Sequence, residues 1–215
     1  MSRKLLAESL GSMLLAAAVI GSGIMAERLA GGNMAVALLA NTGATVAVLG
    51  TLISALGPIS GAHFNPVVSL AGAIRGDLRP FLAVTYVAVQ VVGCCAGAVL
   101  ANAMFELPLV HASAQVCTGS GQWLGEVVAT AGLVLVALTA LSSREAAWRV
   151  AAWIGAAYWF TASTSFANPA ITIARSLSDT FAGIRPEDVP AFVAAQVVGA
   201  VVGLSCLRLL QWKGT

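Results

Sequence analysis

Six stretches of the chain are apolar almost throughout: Leu5–Met25, Met34–Leu56, Phe81–Met104, Trp123–Leu141, Trp148–Thr164 and Val189–Leu210. A bilayer-spanning helix takes about 20 predominantly apolar residues, so the pattern predicts six spanning helices. Two of the connections break it. Gly57–Asp77 and Phe166–Gly183 are partly apolar, and each contains Asn-Pro. They are too short and too polar to span alone, and they are expected to be re-entrant segments.

The two halves of the chain share landmarks in the same order. Ala7-Glu8 opens the first span and Gly125-Glu126 the fourth, with Ser12 and Thr130 four residues beyond each Glu. Tyr86-Val-Ala-Val-Gln90-Val-Val-Gly in the third span matches Phe192-Val-Ala-Ala-Gln196-Val-Val-Gly in the sixth. Asn65-Pro66 lies between spans two and three, Asn168-Pro169 between spans five and six. Three spans per half require the second half to run opposite to the first, an inverted repeat (about 1–105 and about 120–212) in one domain over 1–215. Such repeats place a solute site at the midplane between them. Gly93, Gly97, Gly199 and Gly203 are spaced for close helix crossings.

Asn is a preferred N-cap, and Pro fits the first helical position, where its missing N–H costs nothing. Asn65 and Asn168 are therefore expected to start half-helices, running to Arg75 and to Asp179. Together these measure roughly 34 Å at 1.5 Å per residue, enough to complete a broken seventh span. Each N-terminus carries about half a positive charge, so two facing one pore repel cations and protons. Irregular backbone at that depth is tolerated where it lines a wet cavity, which assigns Gly61, Ala62, His63, Phe166 and Ala167 to the pore lining. The Asn amides are expected to donate to a small neutral solute.

Composition agrees with a lipid environment. Of 215 residues, 59% are hydrophobic and 9% charged, against about 25% charged in soluble domains, and mean hydropathy is +0.90. A net charge of +2 gives no footprint for nucleic acid. Arg3 and Lys4 before an apolar stretch imitate a signal peptide, but the stretch is long enough to be a retained helix. With the N-terminus inside, Arg3, Lys4, Arg75, Arg79, Arg144, Arg149, Arg208 and Lys213 face the cytoplasm. Arg28, Arg175 and Arg185 face out, which favours both termini in the cytoplasm. Cys94, Cys95, Cys117 and Cys206 have no metal or redox spacing, and no cofactor is expected. Trp148, Trp153, Trp159 and Trp212 mark interfacial belts or lipid-facing walls.

Gly57-x-Ile-Ser-Gly-Ala-His-Phe-Asn65-Pro66, the second Asn168-Pro169-Ala170 and the paired Glu residues resemble the aquaporin and aquaglyceroporin family over the whole chain. The resemblance implies six tilted helices plus two half-helices, a homotetramer in the cell membrane, and one pore per subunit. It implies that Glu8 and Glu126 accept hydrogen bonds from the re-entrant loops rather than relay protons, and that Gln90 and Gln196 pin loop backbone. His63 stands as a structural residue of a tight turn or a pH sensor at the inner mouth.

The chain departs from the family pattern in two places. Its first motif ends in Val67 instead of Ala. The family's constriction positions fall on Thr45, Ala156, Ser165 and Ile171, where water-selective members have an aromatic, His and Arg at the first, second and fourth. The Asp of glycerol channels is replaced by Thr172. An opening without Arg is wider, so the chain is expected to pass solutes larger than water, such as glycerol, urea or metalloid acids. The alternatives are a strictly water-selective channel and an ion-coupled transporter; a membrane enzyme lacks any nucleophile–base or metal constellation. Arg175, one turn beyond Ile171, is expected either to line the outer vestibule or to pair with Asp179 near the head groups.

Overall fold

A computed structural model describes residues 2–210; Trp212 and Lys213 lie outside the described residues. The chain is all-α. Six long helices are α1 (Ser2–Leu29), α2 (Met34–Ser60), α4 (Pro80–Met104), α5 (Ser120–Leu138), α6 (Ser143–Phe160) and α8 (Val189–Leu209). Two short ones, α3 (Pro66–Arg75) and α7 (Pro169–Arg175), follow the Asn-Pro motifs, and a 3₁₀ turn at Pro186–Asp188 precedes α8.

The predicted spans hold, with shifted ends. α6 begins five residues before the predicted Trp148, because Ser142 caps it by accepting from the Glu145 N–H, 3.2 Å. Its first turns carry Arg144, Glu145 and Arg149, and Glu145 pairs with Arg149. These charges leave α6 less apolar than the other five long helices, each long and apolar enough to cross a membrane. It ends at Phe160, where Thr161 turns extended and redirects the chain into the bundle. The second half-helix is shorter than predicted. It stops at Arg175 after seven residues, not at Asp179. Beyond it, side chains serve other segments: Ser178 Oγ donates to Asn102 Oδ1, 2.7 Å, and Asp179 Oδ1 accepts from Ala114 N, 2.8 Å. The two half-helices together measure roughly 25 Å at 1.5 Å per residue, slightly under a hydrocarbon core of about 30 Å.

Equivalent helices pair in the same way in each half. α1 packs on α4 and α5 on α8, while α2 meets α6 and joins the halves. The glycine pairs permit the closest of these approaches. A Cβ on Gly93 or Gly97 would strike the Ser9 and Met13 carbonyls of α1, and one on Gly199 or Gly203 would strike Val127 O and Ala131 O of α5. Trp153 is not part of a lipid-facing belt: it covers Gly132, and its Nε1–H donates to Ala129 O, 2.8 Å, tying α6 to α5. Trp148 and Trp159 do face outward, among a surface of exposed Leu, Val and Phe.

The two crossings should be equally sensitive to added bulk. Gly97→Val and Gly203→Val each force backbone apart, at a cost of about 3 kcal/mol or more. Thermal unfolding of the detergent-solubilised protein should give a clearly lowered midpoint for both. Gly121→Val, where open space surrounds the added atoms, should leave it unchanged.

Candidate functional site

The two loops that precede the half-helices have the same backbone. Ala62 and Phe64, three and one residues before Asn65, have φ of 50° and 48°. Ser165 and Ala167, at the same offsets before Asn168, have φ of 53° and 46°. Left-handed conformations of non-glycine residues cost of order 1–3 kcal/mol each, and persist only where the surroundings impose them. Here the imposing groups are two carboxylates, both fully buried. Glu8 accepts from His63 N (3.0 Å) and Phe64 N (2.8 Å). Glu126 accepts from Phe166 N and Ala167 N, both 2.8 Å. The loops therefore bring these N–H groups away from the lumen, and the carboxylates supply the partners that the bilayer cannot.

A second layer repeats the symmetry. Gln90 Nε2 donates to Glu8 (2.8 Å) and to Ser69 Oγ (2.9 Å); Gln196 Nε2 donates to Glu126 (2.6 Å) and to Thr172 Oγ1 (2.8 Å). Contrary to expectation, neither Gln touches loop backbone. Each ties a carboxylate to a hydroxyl on the first turn of a half-helix. Ser60 and Ser163, five residues before each Asn, brace the loop starts through Ala62 N (3.0 Å) and Ser165 N (3.2 Å). Sequence reasoning missed Ser60, Ser163 and Ser69. Their equal offsets from the two Asn residues, −5 and +4, were the available signal.

The Asn-Pro motifs meet at the centre and cross. Asn65 Nδ2 donates to Ala167 O and Asn168 Nδ2 to Phe64 O, each 2.8 Å. Asn65 Oδ1 caps α3 by accepting from Val67 N, 3.0 Å. Asn168 Oδ1 caps α7 by accepting from Ala170 N, 3.0 Å, and Ile171 N, 3.3 Å. Each amide is held at both ends, and one N–H of each Nδ2 is left over. The Ala167 carbonyl, on the expected pore lining, is engaged by Asn65. Pro66 and Pro169 occupy the first helical positions. Val67 points away from the lumen and packs with Val134, Ala200 and Leu204.

A cavity of about 140 Å³ runs past this crossing. Gly61, Ala62, His63, Asn65, Ser165, Phe166 and Asn168 supply its polar side. The opposite walls are apolar stripes at helical spacing, Thr45-Leu49-Ile53 on α2 and Ala146-Val150-Ile154-Tyr158 on α6. His63 Nδ1 lies 3.1 Å from Ser69 Oγ and its ring meets Tyr86 edge-on, a braced position on the wall. Glu8 and Glu126 stand behind the loops and are not part of the cavity wall.

Of the four constriction positions, Thr45, Ser165 and Ile171 line the cavity. Ala156 does not. It faces outward, and Tyr158 takes its place, with its hydroxyl 3.3 Å from Thr45 Oγ1. Two residues turn a helix by about 200°, so the length of the Thr161–Ala167 connection decides which α6 side chain reaches the lumen. The i, i+4 stripe ending in Tyr158 could have revealed it. Arg175 does not pair with Asp179. It is turned inward, 6% exposed, with Nε donating to Ala182 O and the guanidinium 3.3 Å from the Phe166 ring centroid.

A second cavity of about 220 Å³ opens at the end of the bundle away from the N-terminus, among Asn41, Gln115, Cys117, Gln122, Thr164 and Phe181. Burial pushes the Cys117 thiol above its ordinary range, against the pull of nearby Arg175, so it stays protonated.

The profile of the Major intrinsic protein family matches residues 1–160. Aquaglyceroporin AqpS of Rhizobium meliloti (strain 1021) is 53% identical over 212 residues, 98% of this chain and 91% of that protein. Aquaporin-5 of Rattus norvegicus is 52% identical over 50 residues, 23% of this chain and 19% of its own. The solved aquaglyceroporin from Plasmodium falciparum superposes with a TM-score of 0.72 at 19% identity, covering 96% of this chain and 95% of that one, a likeness of fold.

The carboxylate anchors should dominate stability. Glu8→Ala or Glu126→Ala strands two buried loop N–H groups and a Gln amide, costing about 3 kcal/mol or more. Unfolding in detergent should occur at markedly lower temperature for both. Glu27→Ala, at an exposed position, should behave as the parent.

Proposed function

The chain belongs to the major intrinsic protein family, and we propose that its conduit passes small uncharged solutes larger than water, with glycerol, urea and neutral metalloid acids as the candidate classes. It is a multi-pass membrane channel and not an enzyme. The observation that carries the reading is the crossed Asn pair. Two clamped amides, each with one N–H to spare, sit where two helix N-termini converge on a cavity that has apolar stripes from α2 and α6 on its walls. That arrangement offers hydrogen bonds to a neutral solute while the helix ends disfavour cations.

Passage of solutes larger than water is supported by Ile171, Ser165 and Thr45 on the wall, and by the relative's description as an aquaglyceroporin. Passive transport is supported by the placement of Glu8 and Glu126, both occupied by loop backbone and shielded from the cavity. The whole chain forms one channel domain of two inverted repeats. Its termini lie in the cytoplasm by the eight-to-three distribution of Lys and Arg. Four copies assemble through part of the apolar outer surface, each with its own pore, in the cell membrane.

Stopped-flow measurements on proteoliposomes test this. Glycerol, urea and arsenous acid gradients should each drive reswelling that scales linearly with concentration and ignores an imposed proton gradient. Water flux with no entry of these solutes would overturn the reading. Asn65→Asp, which replaces a central donor with a carboxylate, should lower solute flux and raise cation leak, read with a potential-sensitive dye.

A further inference from the structure

We propose that Arg175 is the specificity-determining cation of the conduit, delivered from one helical turn beyond the position where the family pattern seeks it. This rests on the channel reading above and deepens it.

Side chains on a helix tilt toward its N-terminus and cover the preceding turn. From the last residue of α7, Arg175 therefore reaches back over the turn that holds Ile171. Its position there is fixed twice. Nε donates to Ala182 O, and the guanidinium sits over the Phe166 ring, 3.3 Å from ring centroid to Cζ. Among the described residues it has no carboxylate partner, and its Nη nitrogens make no hydrogen bond to protein.

Position then decides the role. The two cavities have two wall residues in common, Phe166 and Arg175. A solute moving between the cavities passes this pair. Across from it, Tyr158 and Thr45 share one hydroxyl contact, and Ser165 Oγ is buried, 2% exposed, with no protein partner. The constriction thus pairs a planar donor fork with hydroxyls that both donate and accept. A short-chain solute bearing several hydroxyls fits that set: its oxygens face Arg175 and Ser165 while its carbons lie on Phe166 and Ile171. Larger polyols are held back by the guanidinium, and cations by its charge. Ile171 therefore widens the wall without opening the pore.

The test compares reswelling of proteoliposomes in glycerol and in ribitol. Arg175→Ala should raise the ribitol-to-glycerol flux ratio about tenfold and raise cation leak, since pore width and fixed charge set both. Ile171→Arg added to Arg175→Ala should restore the low ratio, which a merely structural role for Arg175 would not allow. A ratio unchanged in Arg175→Ala, or not restored by Ile171→Arg, overturns the proposal. If Arg175→Ala does not reach the membrane folded, Arg175→Lys carries the test, because it keeps the charge but loses the guanidinium fork over Phe166. An intermediate ratio supports the proposal and an unchanged one overturns it. A parent protein that passes no neutral solute would instead overturn the channel reading itself.

Discussion

Two carboxylates hold this structure together, and they do so from inside the apolar bundle. A chain that re-enters a membrane without spanning it exposes backbone N–H groups where no water reaches, each costing several kcal/mol if left unpaired. Glu8 and Glu126 take up those groups, two per loop. Each receives further donors besides. Glu8 also accepts from Ser60 and Gln90, and Glu126 from Gln196. With the N–H groups that face away from the lumen satisfied, the loops can adopt their strained left-handed turns and leave the other side of the backbone to the lumen.

Everything at the centre follows from that restraint. Because both loops are fixed by the same device, their Asn residues arrive at matching positions and donate to the carbonyl that precedes the other. The crossing locks the half-helices to each other, and the half-helices pack on α4 and α8. The Gly pairs on α4 and α8 let α1 and α5 come close enough for their Glu side chains to reach the loops. Close packing and the polar centre are thus one arrangement, present twice.

The halves differ at the ends of their half-helices. α3 runs ten residues and α7 seven. The shorter helix ends in Arg175, and the segment that follows folds back so that Ala182 O meets the guanidinium. The first half has no counterpart: Arg75 lies at the bundle surface with Asp77 and donates to Leu138 O. The two ends of the conduit are therefore chemically unlike, with a buried cation at one and a solvated ion pair at the other.

Much of this was legible from residue types alone. Long apolar stretches can only be spanning helices, Asn-Pro sets helix starts, and a Glu in an apolar helix demands partners; these are local or nearly local constraints, and they yielded the six spans and the two half-helices, while the choice of loop acceptor over proton relay for Glu8 and Glu126 came from the family resemblance. Side-chain direction at the constriction was not legible. Whether Ala156 or Tyr158 faces the lumen depends on how the Thr161–Ala167 connection turns, and whether Arg175 meets Asp179 or Phe166 depends on where the chain beyond α7 folds back. The first choice is settled against α2, 113 residues away, where Tyr158 meets Thr45, and the second by how the irregular segments on either side of α7 fold around Arg175. An offset counted from Asn168 across an irregular connection does not fix them, because a helix face rotates by about 100° with each residue.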